Sequence, residues 1–351
     1  MNMTRPQIIR LGVLLVIALA SALGVGLSMR ASDRLVIKIA FLGSSDDEDY
    51  HGAMALKRHV EAALPNQVTV RVYPAGQFCG NERECIEALR AGTLEVLMTT
   101  VGGVGNIFGP VQVLDLPYAL KEDRVAECVL AGAFVDDLRQ GALDAGLAMR
   151  LMLISNTGGW RALATTSRPI YGPDDVAGLK LRTTPADIQQ RLVQALGASP
   201  TPIAFSELYT ALATGVVDGT KNSIQDIVGT KLHEHVKFIT LDNHAYMAAL
   251  WWFSETRWRQ MPEAFKPAVL AGFQKLKAVT LAIPKQRAAE DLASFKAAGG
   301  AVHVPSAAQQ AAFTQAAAGL RPWLAQRFGA IWLQRLDAAV GDCRARLANE
   351  S

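Results

Sequence analysis

The sequence predicts an α/β protein, and three observations carry that reading. β-Branched apolar runs alternate with amphipathic helical stretches and Gly-rich turns from residue 35 to about residue 240, the rhythm of βαβ units. From Pro262 onward the pattern is mainly helical and rich in Ala and Gln, broken by a strand-like Ala301-Val-His-Val304. Half of the 351 residues are apolar, enough to fill two domains, each with its own core.

The elements follow in order. Arg5 and Arg10 precede an uncharged apolar run over 11–27, the layout of an export signal. Small residues such as Ala22 and Ala31 offer cleavage sites, but the run is also close to bilayer-spanning length. Residues 1–31 are therefore read as a signal peptide or an N-terminal anchor. Residues 35–42 alternate as a strand, 46–50 form an acidic turn, and 50–64 have helical period. A strand over 68–73 ends at Pro74-Ala-Gly76, a helix over 82–91 stops at Gly92, and a third strand covers 94–99. The apolar strand 150–154 leads into a loop, Thr157-Gly-Gly-Trp-Arg161. Gly178-Leu-Lys-Leu-Arg-Thr-Thr184 is a short strand that delivers Arg182 amid apolar neighbours. A helix from Glu207 stops at Gly215 and feeds an extended segment ending at Asp218-Gly219.

The formal net charge is +3, and Arg5, Arg10 and Arg30 supply three of the positives. A chain cut after Ala31 is near neutral, which argues against a nucleic-acid footprint. Four cysteines, Cys79, Cys85, Cys128 and Cys343, suit disulfides in an exported chain. Asn81 as N-cap with Glu84 three residues on would start a helix. Cys79 then sits just before that helix and Cys85 in its first turn, close enough to pair; two free buried thiols are the alternative. Cys128 and Cys343 pair only if the C-terminal helix returns to the first domain.

In order and spacing, several segments together resemble the solute-binding receptors of TRAP transporters, the DctP-type periplasmic family. They are Ile37-Lys-Ile-Ala-Phe41, Val70-Arg-Val-Tyr-Pro-Ala-Gly-Gln77, Glu87-Ala-Leu-Arg-Ala-Gly-Thr-Leu94, Leu114-Asp-Leu-Pro-Tyr118, the Arg182 strand, Gly197-Ala-Ser-Pro-Thr-Pro202 and the 207–219 segment. The resemblance implies two α/β domains, 33–157 plus 247–287 and 158–246 plus 288–351, with a long helix near 262–285 spanning both and a ligand cleft between them. It implies a small organic acid as ligand, membrane permease subunits as partners, no cofactor, a periplasmic monomer and no catalytic activity of its own. An exported enzyme acting on a small carboxylic acid is the alternative.

The resemblance also implies site residues. Arg182 stands where the family clamps a carboxylate, and a guanidinium fork suits that task. Arg161 matches a second family Arg. Asn222 survives from a Gln-Glu-Asn-Pro run that reads Thr220-Lys-Asn-Ser223 here; Lys221 replaces an acid and adds positive charge to the cleft if it points inward. Thr99 and Thr100, with the glycines after them, end a strand where open sheets place ligands. Phe205 packs on the ligand skeleton or acts as a hydrophobic staple. Trp160 walls the cleft or fills core, and His244 and Tyr246 lie in the crossover between domains. Gly103-x-Gly105 is followed by Phe108 where a dinucleotide loop needs its third Gly. His233-Glu-His235 places its two imidazoles apart on a helix, against a metal site.

Overall fold

The computed structural model describes residues 34–350; the export or anchor segment read at 1–31 lies outside them. The strands in chain order are β1 (Leu35–Ala40), β2 (Val68–Tyr73), β3 (Val96–Thr100), β4 (Met149–Trp160), β5 (Ala162–Thr165), β6 (Lys180–Thr183), β7 (Ser199–Pro202), β8 (Gly219–Asn222), β9 (Phe238–Thr240), β10 (Tyr246–Ser254) and β11 (Ala301–His303). The helices are α1 (Glu48–Ala63), α2 (Glu82–Arg90), α3 (Val101–Val104), α4 (Asp123–Val129), α5 (Ala133–Asp144), α6 (Asp187–Ala195), α7 (Leu208–Ala213), α8 (Ile224–Gly229), α9 (Glu255–Gln260), α10 (Lys266–Ala297), α11 (Ala307–Ala316), α12 (Leu320–Phe328) and α13 (Ala330–Asn349).

Two sheets form. The first has strand order β2-β1-β3-β10-β4 and the second β11-β9-β5-β8-β6-β7. β1 runs parallel to β2 and β3, while β10 is antiparallel to both β3 and β4. β10 is buried at every position, because both faces of its sheet are covered. Ala249, Trp251 and Phe253 enter a core with Ile37, Ile39, Leu56 and Val60. Leu250 and Trp252 enter the opposite core with Leu89, Leu138 and Leu151. The two indole N–H groups stay paired inside, Trp251 donating to Ser155 Oγ at 3.1 Å and Trp252 to Thr99 Oγ1 at 2.9 Å. At the far edge of the second sheet, β7 carries Pro200 and Pro202, tolerable only on an edge strand.

Besides the passage through α10, the chain crosses between the sheets at two adjacent points. β4 ends at Trp160 and β5 begins at Ala162, while β9 ends at Thr240 and β10 begins at Tyr246. The expected loop at 157–161 is instead the end of β4. Trp160 pairs with Tyr246 and Asn156 with Ala248, so four steps on β4 oppose two on β10. That bulge needs backbone that L side chains resist, and Gly158 and Gly159 supply it, both at φ +86°.

α10 is longer than the sequence suggested, running 32 residues to Ala297, about 48 Å. Val269, Phe273 and Leu276 bury in the first-sheet core, whereas Phe295 buries against Ala162, Leu212 and Ile239 of the second. Pro284 lies between these anchors and removes one helical hydrogen bond there.

Both cysteine pairs are disulfides. Cys79–Cys85 spans 5.4 Å between Cα atoms at the start of α2. Asn81 Oδ1 accepts from the Glu84 N–H at 3.0 Å as expected, but Glu84 Oε2 accepts from Gly80 N–H rather than from the cap residue. The second pair, left open by the sequence, is Cys128–Cys343, with Cα atoms 5.9 Å apart. It forms because α13 returns to pack on α4 and α5, burying Leu333, Leu336 and Val340.

The Cys128–Cys343 bond closes a separation of 215 residues and Cys79–Cys85 one of 6. In the chain-entropy model these constrain the unfolded chain by about 5 and about 2 kcal/mol. Urea unfolding should therefore show the larger loss for the Cys128→Ala/Cys343→Ala pair of substitutions than for Cys79→Ala/Cys85→Ala. Equal losses would place the stabilisation in native packing rather than in loop closure.

Candidate ligand-binding site

The carboxyl ends of β1, β3, β6 and β8 converge on a cavity of about 80 Å³. Open α/β sheets hold ligands at this end of their strands. A single water needs roughly 10–15 Å³ on this measure, so the space admits one small molecule. Its apolar lining is Leu42, Met98, Phe205 and Met247.

Two guanidiniums dominate one part of the wall. Arg182 sits on β6, 4% exposed, and its Nε donates to Ile203 O at 2.9 Å. Its guanidinium lies 5.7 Å from the centre of the Phe205 ring, within cation–π range. Arg161 occupies the single position between β4 and β5. It is 3% exposed, and its Nη1 donates to Lys221 O at 3.0 Å. Arg161 Nε is buried without a partner. Neither guanidinium is ion-paired among the described residues. Burial, then repulsion from Arg161, pulls Arg182 down to about 10, so it stays cationic at neutral pH.

Carboxylates line the rest. Asp47 caps α1, its Oδ1 accepting from Tyr50 N–H at 3.1 Å. Asp49 Oδ2 accepts from Thr157 Oγ1 at 2.8 Å, whereas its Oδ1 is buried and unpaired. Just behind this wall, Glu48 accepts from Gln225 Nε2. Asp226 on α8 accepts from Asn222 Nδ2 at 2.9 Å. Glu82 takes the Thr100 N–H at 3.1 Å. Burial first, and then repulsion among neighbouring acids, pushes Asp47 up to about 7, Glu48 up to about 8 and Asp49 well above its usual range. Burial also raises Glu82 and Asp226, against the pull of the arginines.

Of the residues expected at the site, Arg182, Arg161, Asn222, Thr100 and Phe205 line this cavity. The Asn222 amide is engaged at both ends, accepting from Thr220 Oγ1 at 2.7 Å and donating to Asp226. Thr99, Trp160, His244 and Tyr246 do not line it. Thr99 accepts the Trp252 indole N–H. Trp160 donates to Asp123 Oδ1 at 2.5 Å and packs edge-on with Tyr246, whose hydroxyl reaches Glu127. His244 Nδ1 lies 2.9 Å from Asp242 Oδ2 behind the second sheet. Thr99, Trp160 and Tyr246 each adjoin a lining residue, Thr100, Arg161 and Met247 respectively, and one position along an extended chain reverses where a side chain points, while His244 lies in the segment between β9 and β10. Lys221 also points away: its Nζ donates to Gln189 Oε1 at 3.1 Å. Gly102 and Gly103 face Thr184 and Glu82 side chains rather than open space.

Sequence reasoning missed the acids. The run Asp46-Asp-Glu-Asp49 reads as a solvated turn, yet Glu48 and Asp49 are each 1% exposed. The available signal was position, four acids directly after the carboxyl end of a strand. Gln225, Asp226 and Arg287 also line the cavity and carry no motif.

The model of the family described as bacterial extracellular solute-binding protein, family 7, matches residues 40–322. The chain is 28% identical over 330 residues to the C4-dicarboxylate-binding periplasmic protein DctP of Rhodobacter capsulatus, covering 92% of this chain and 96% of that one. It is similar in structure to a TRAP periplasmic solute-binding protein of Sulfurospirillum deleyianum with bound succinate. That match has a TM-score of 0.82 at 26% identity, over 87% of this chain and 99% of the other. A Polaromonas TRAP solute-binding protein bound to D-erythronate matches with a TM-score of 0.79 at 27% identity, over 88% and 98%.

Two outcomes follow from this geometry. An acid whose pKa is higher folded than unfolded stabilises the fold fully below its unfolded value near 4, and loses that contribution as pH rises through the folded value. Asp47, Glu48 and Asp49 should thus cost the ligand-free protein melting temperature between about pH 5 and about pH 7, and Asp49→Asn should flatten the slope. Lys221, drawn down to about 7 chiefly by burial and by Arg161, acts oppositely but only above that pH. A melting temperature that rises across the lower window contradicts the assignment. Separately, a Cβ on Gly102 would lie 2.4 Å from Thr184 Oγ1, across the contact between α3 and the end of β6. Gly102→Val should weaken ligand affinity by about tenfold or more, read by calorimetry.

Proposed function

The chain belongs to the bacterial extracellular solute-binding protein family 7, and from that premise we propose that it is the extracytoplasmic receptor of a TRAP transporter. It takes one small organic acid into the cavity and delivers it unchanged to the membrane permease subunits. The observation that carries this is the pair of buried guanidiniums held by backbone carbonyls with no carboxylate partner. A buried charge is costly unless paired, and a carboxylate is the bidentate partner whose geometry fits. Arg182 is the main anchor and Arg161 the second, with Phe205, Thr100 and Asn222 completing the wall.

We assign 33–157 plus 247–287 to one domain and 158–246 plus 288–351 to the other, with α13 crossing back onto the first. The hinge is the pair of neighbouring passages, at 160–162 and 240–246, together with α10 around Pro284. Closure strips water from the guanidinium–carboxylate contact and strengthens it. The protein acts in the periplasm as a monomer, exported or tethered by 1–31, without cofactor and without nucleic acid. The near-neutral mature charge supports the last point.

Truncating one partner of a buried, hydrogen-bonded charge pair costs about 2–5 kcal/mol. Arg182→Ala should therefore weaken binding of the carboxylate by roughly 30-fold to several thousand-fold. Arg182→Lys should recover only part, because the charge survives and the fork does not. Titration calorimetry on the wild type and both variants decides it. Wild-type-like affinity in Arg182→Ala moves the anchor to Arg161, and turnover of the bound acid would replace the receptor reading with an enzyme.

A further inference from the structure

We infer that the ligand is a monocarboxylate whose far end donates hydrogen bonds, through hydroxyls or a protonated nitrogen, and carries no second negative charge. The inference rests on the carboxylate reading above and names the ligand class of that same cavity.

Unmet hydrogen-bonding groups in the wall define what is missing. Arg161 Nε is a buried donor with no acceptor, which the ligand carboxylate supplies. Gln225 Oε1 is a buried acceptor with no donor, and Asp49 Oδ1, buried and unpaired, joins it once the Asp49 carboxyl ionises. Both residues line the cavity, 5% and 1% exposed, and each already uses its other polar atom, on Glu48 and Thr157 respectively. Their remaining lone pairs point to a donor that the chain itself does not provide, and an unmet buried acceptor is costly. A ligand that accepts at the Arg end and donates at the Asp49–Gln225 end satisfies both sets.

Charge points the same way. Arg161, Arg182 and Arg287 line the cavity, against the carboxyl groups of Asp47, Asp49, Glu82 and Asp226, with Asp46 exposed to solvent. Asp47 and Asp226 repel each other, as do Asp49 and its two acidic neighbours. A second ligand carboxylate would add one more like charge to this desolvated cluster, whereas an ammonium or a row of hydroxyls relieves it. Leu42, Met98, Met247 and Phe205 accommodate the carbon skeleton between the two ends.

Four probes of one carbon length isolate the far end: butyrate, succinate, 4-aminobutyrate and 2,3,4-trihydroxybutyrate. They are titrated by calorimetry within a wider panel of mono- and dicarboxylates of neighbouring lengths. Trihydroxybutyrate or aminobutyrate should bind at least about tenfold tighter than butyrate, and succinate at least about tenfold weaker than the better of the two. Asp49→Asn should lose about tenfold for the donor-bearing probe and hold or improve succinate. Succinate or butyrate binding as tightly as the donor-bearing probes overturns the inference and leaves the receptor reading standing, as does an Asp49→Asn variant that loses all probes alike. A panel in which no carboxylate binds overturns both.

Discussion

Two like charges held side by side out of water set the conditions for the rest of this structure. Burial, and then repulsion from Arg161, lower Arg182, and backbone carbonyls of Lys221 and Ile203 hold the two guanidiniums in place. Such an arrangement needs rigid donors of carbonyl groups, and the short strands of the second sheet provide them. β8 presents Lys221 O to Arg161, and the turn after β7 presents Ile203 O to Arg182. The remaining N–H groups of both forks are thereby left for a ligand. On either side of β8, Leu163 of β5 and Leu181 of β6 enter the apolar core.

The acids on the other wall follow from the same constraint. A cavity with two cations and nothing opposite would bind any anion. Asp47, Glu48 and Asp49 at the head of α1 restrict this, since they favour their neutral forms only while nothing positive or donor-rich faces them. The N-terminus of α1 offers partial compensation through its own N–H groups, which is how a triplet of acids persists in a buried place. In the proposed receptor, selectivity then resides in the acids and affinity in the arginines.

Much of this was legible in the sequence, and what was not has a physical cause. The β1–α1–β2–α2–β3 order is set by local period and turn chemistry, and the Val68–Tyr73 strand falls where its alternation places it. Arg182 stood out between Leu181 and Thr183 in a short strand, at the matching place in the resembled family. The acidic run did not, because a stretch of like charges is normally solvated and its burial depends on Gln225 and Arg287, some 175–240 residues away along the chain. The return of α13 was invisible for a similar reason: nothing local to Cys343 specifies Cys128, and only the core built by Leu333, Leu336 and Val340 brings them together. Tyr246 was misplaced by one strand face, the error to which period-two elements are most prone, and His244, between β9 and β10, turns to Asp242 instead.

Lys221 shows how the period resolves what composition leaves open. Composition alone would add its charge to the cleft. On β8, Thr220 and Asn222 share one face, bonded to each other across the intervening residue, so Lys221 must project to the other. There it meets Gln189, with Asp115 and Asp242 nearby to favour its charged form and burial opposing it more strongly. Its backbone carbonyl, however, faces forward and holds Arg161. The residue therefore serves the site through its main chain while its ammonium is kept behind the sheet. The Lys221 ammonium thus adds nothing to the cavity's cations, Arg161, Arg182 and Arg287, which leaves the neighbouring acids able to choose among the anions the arginines attract.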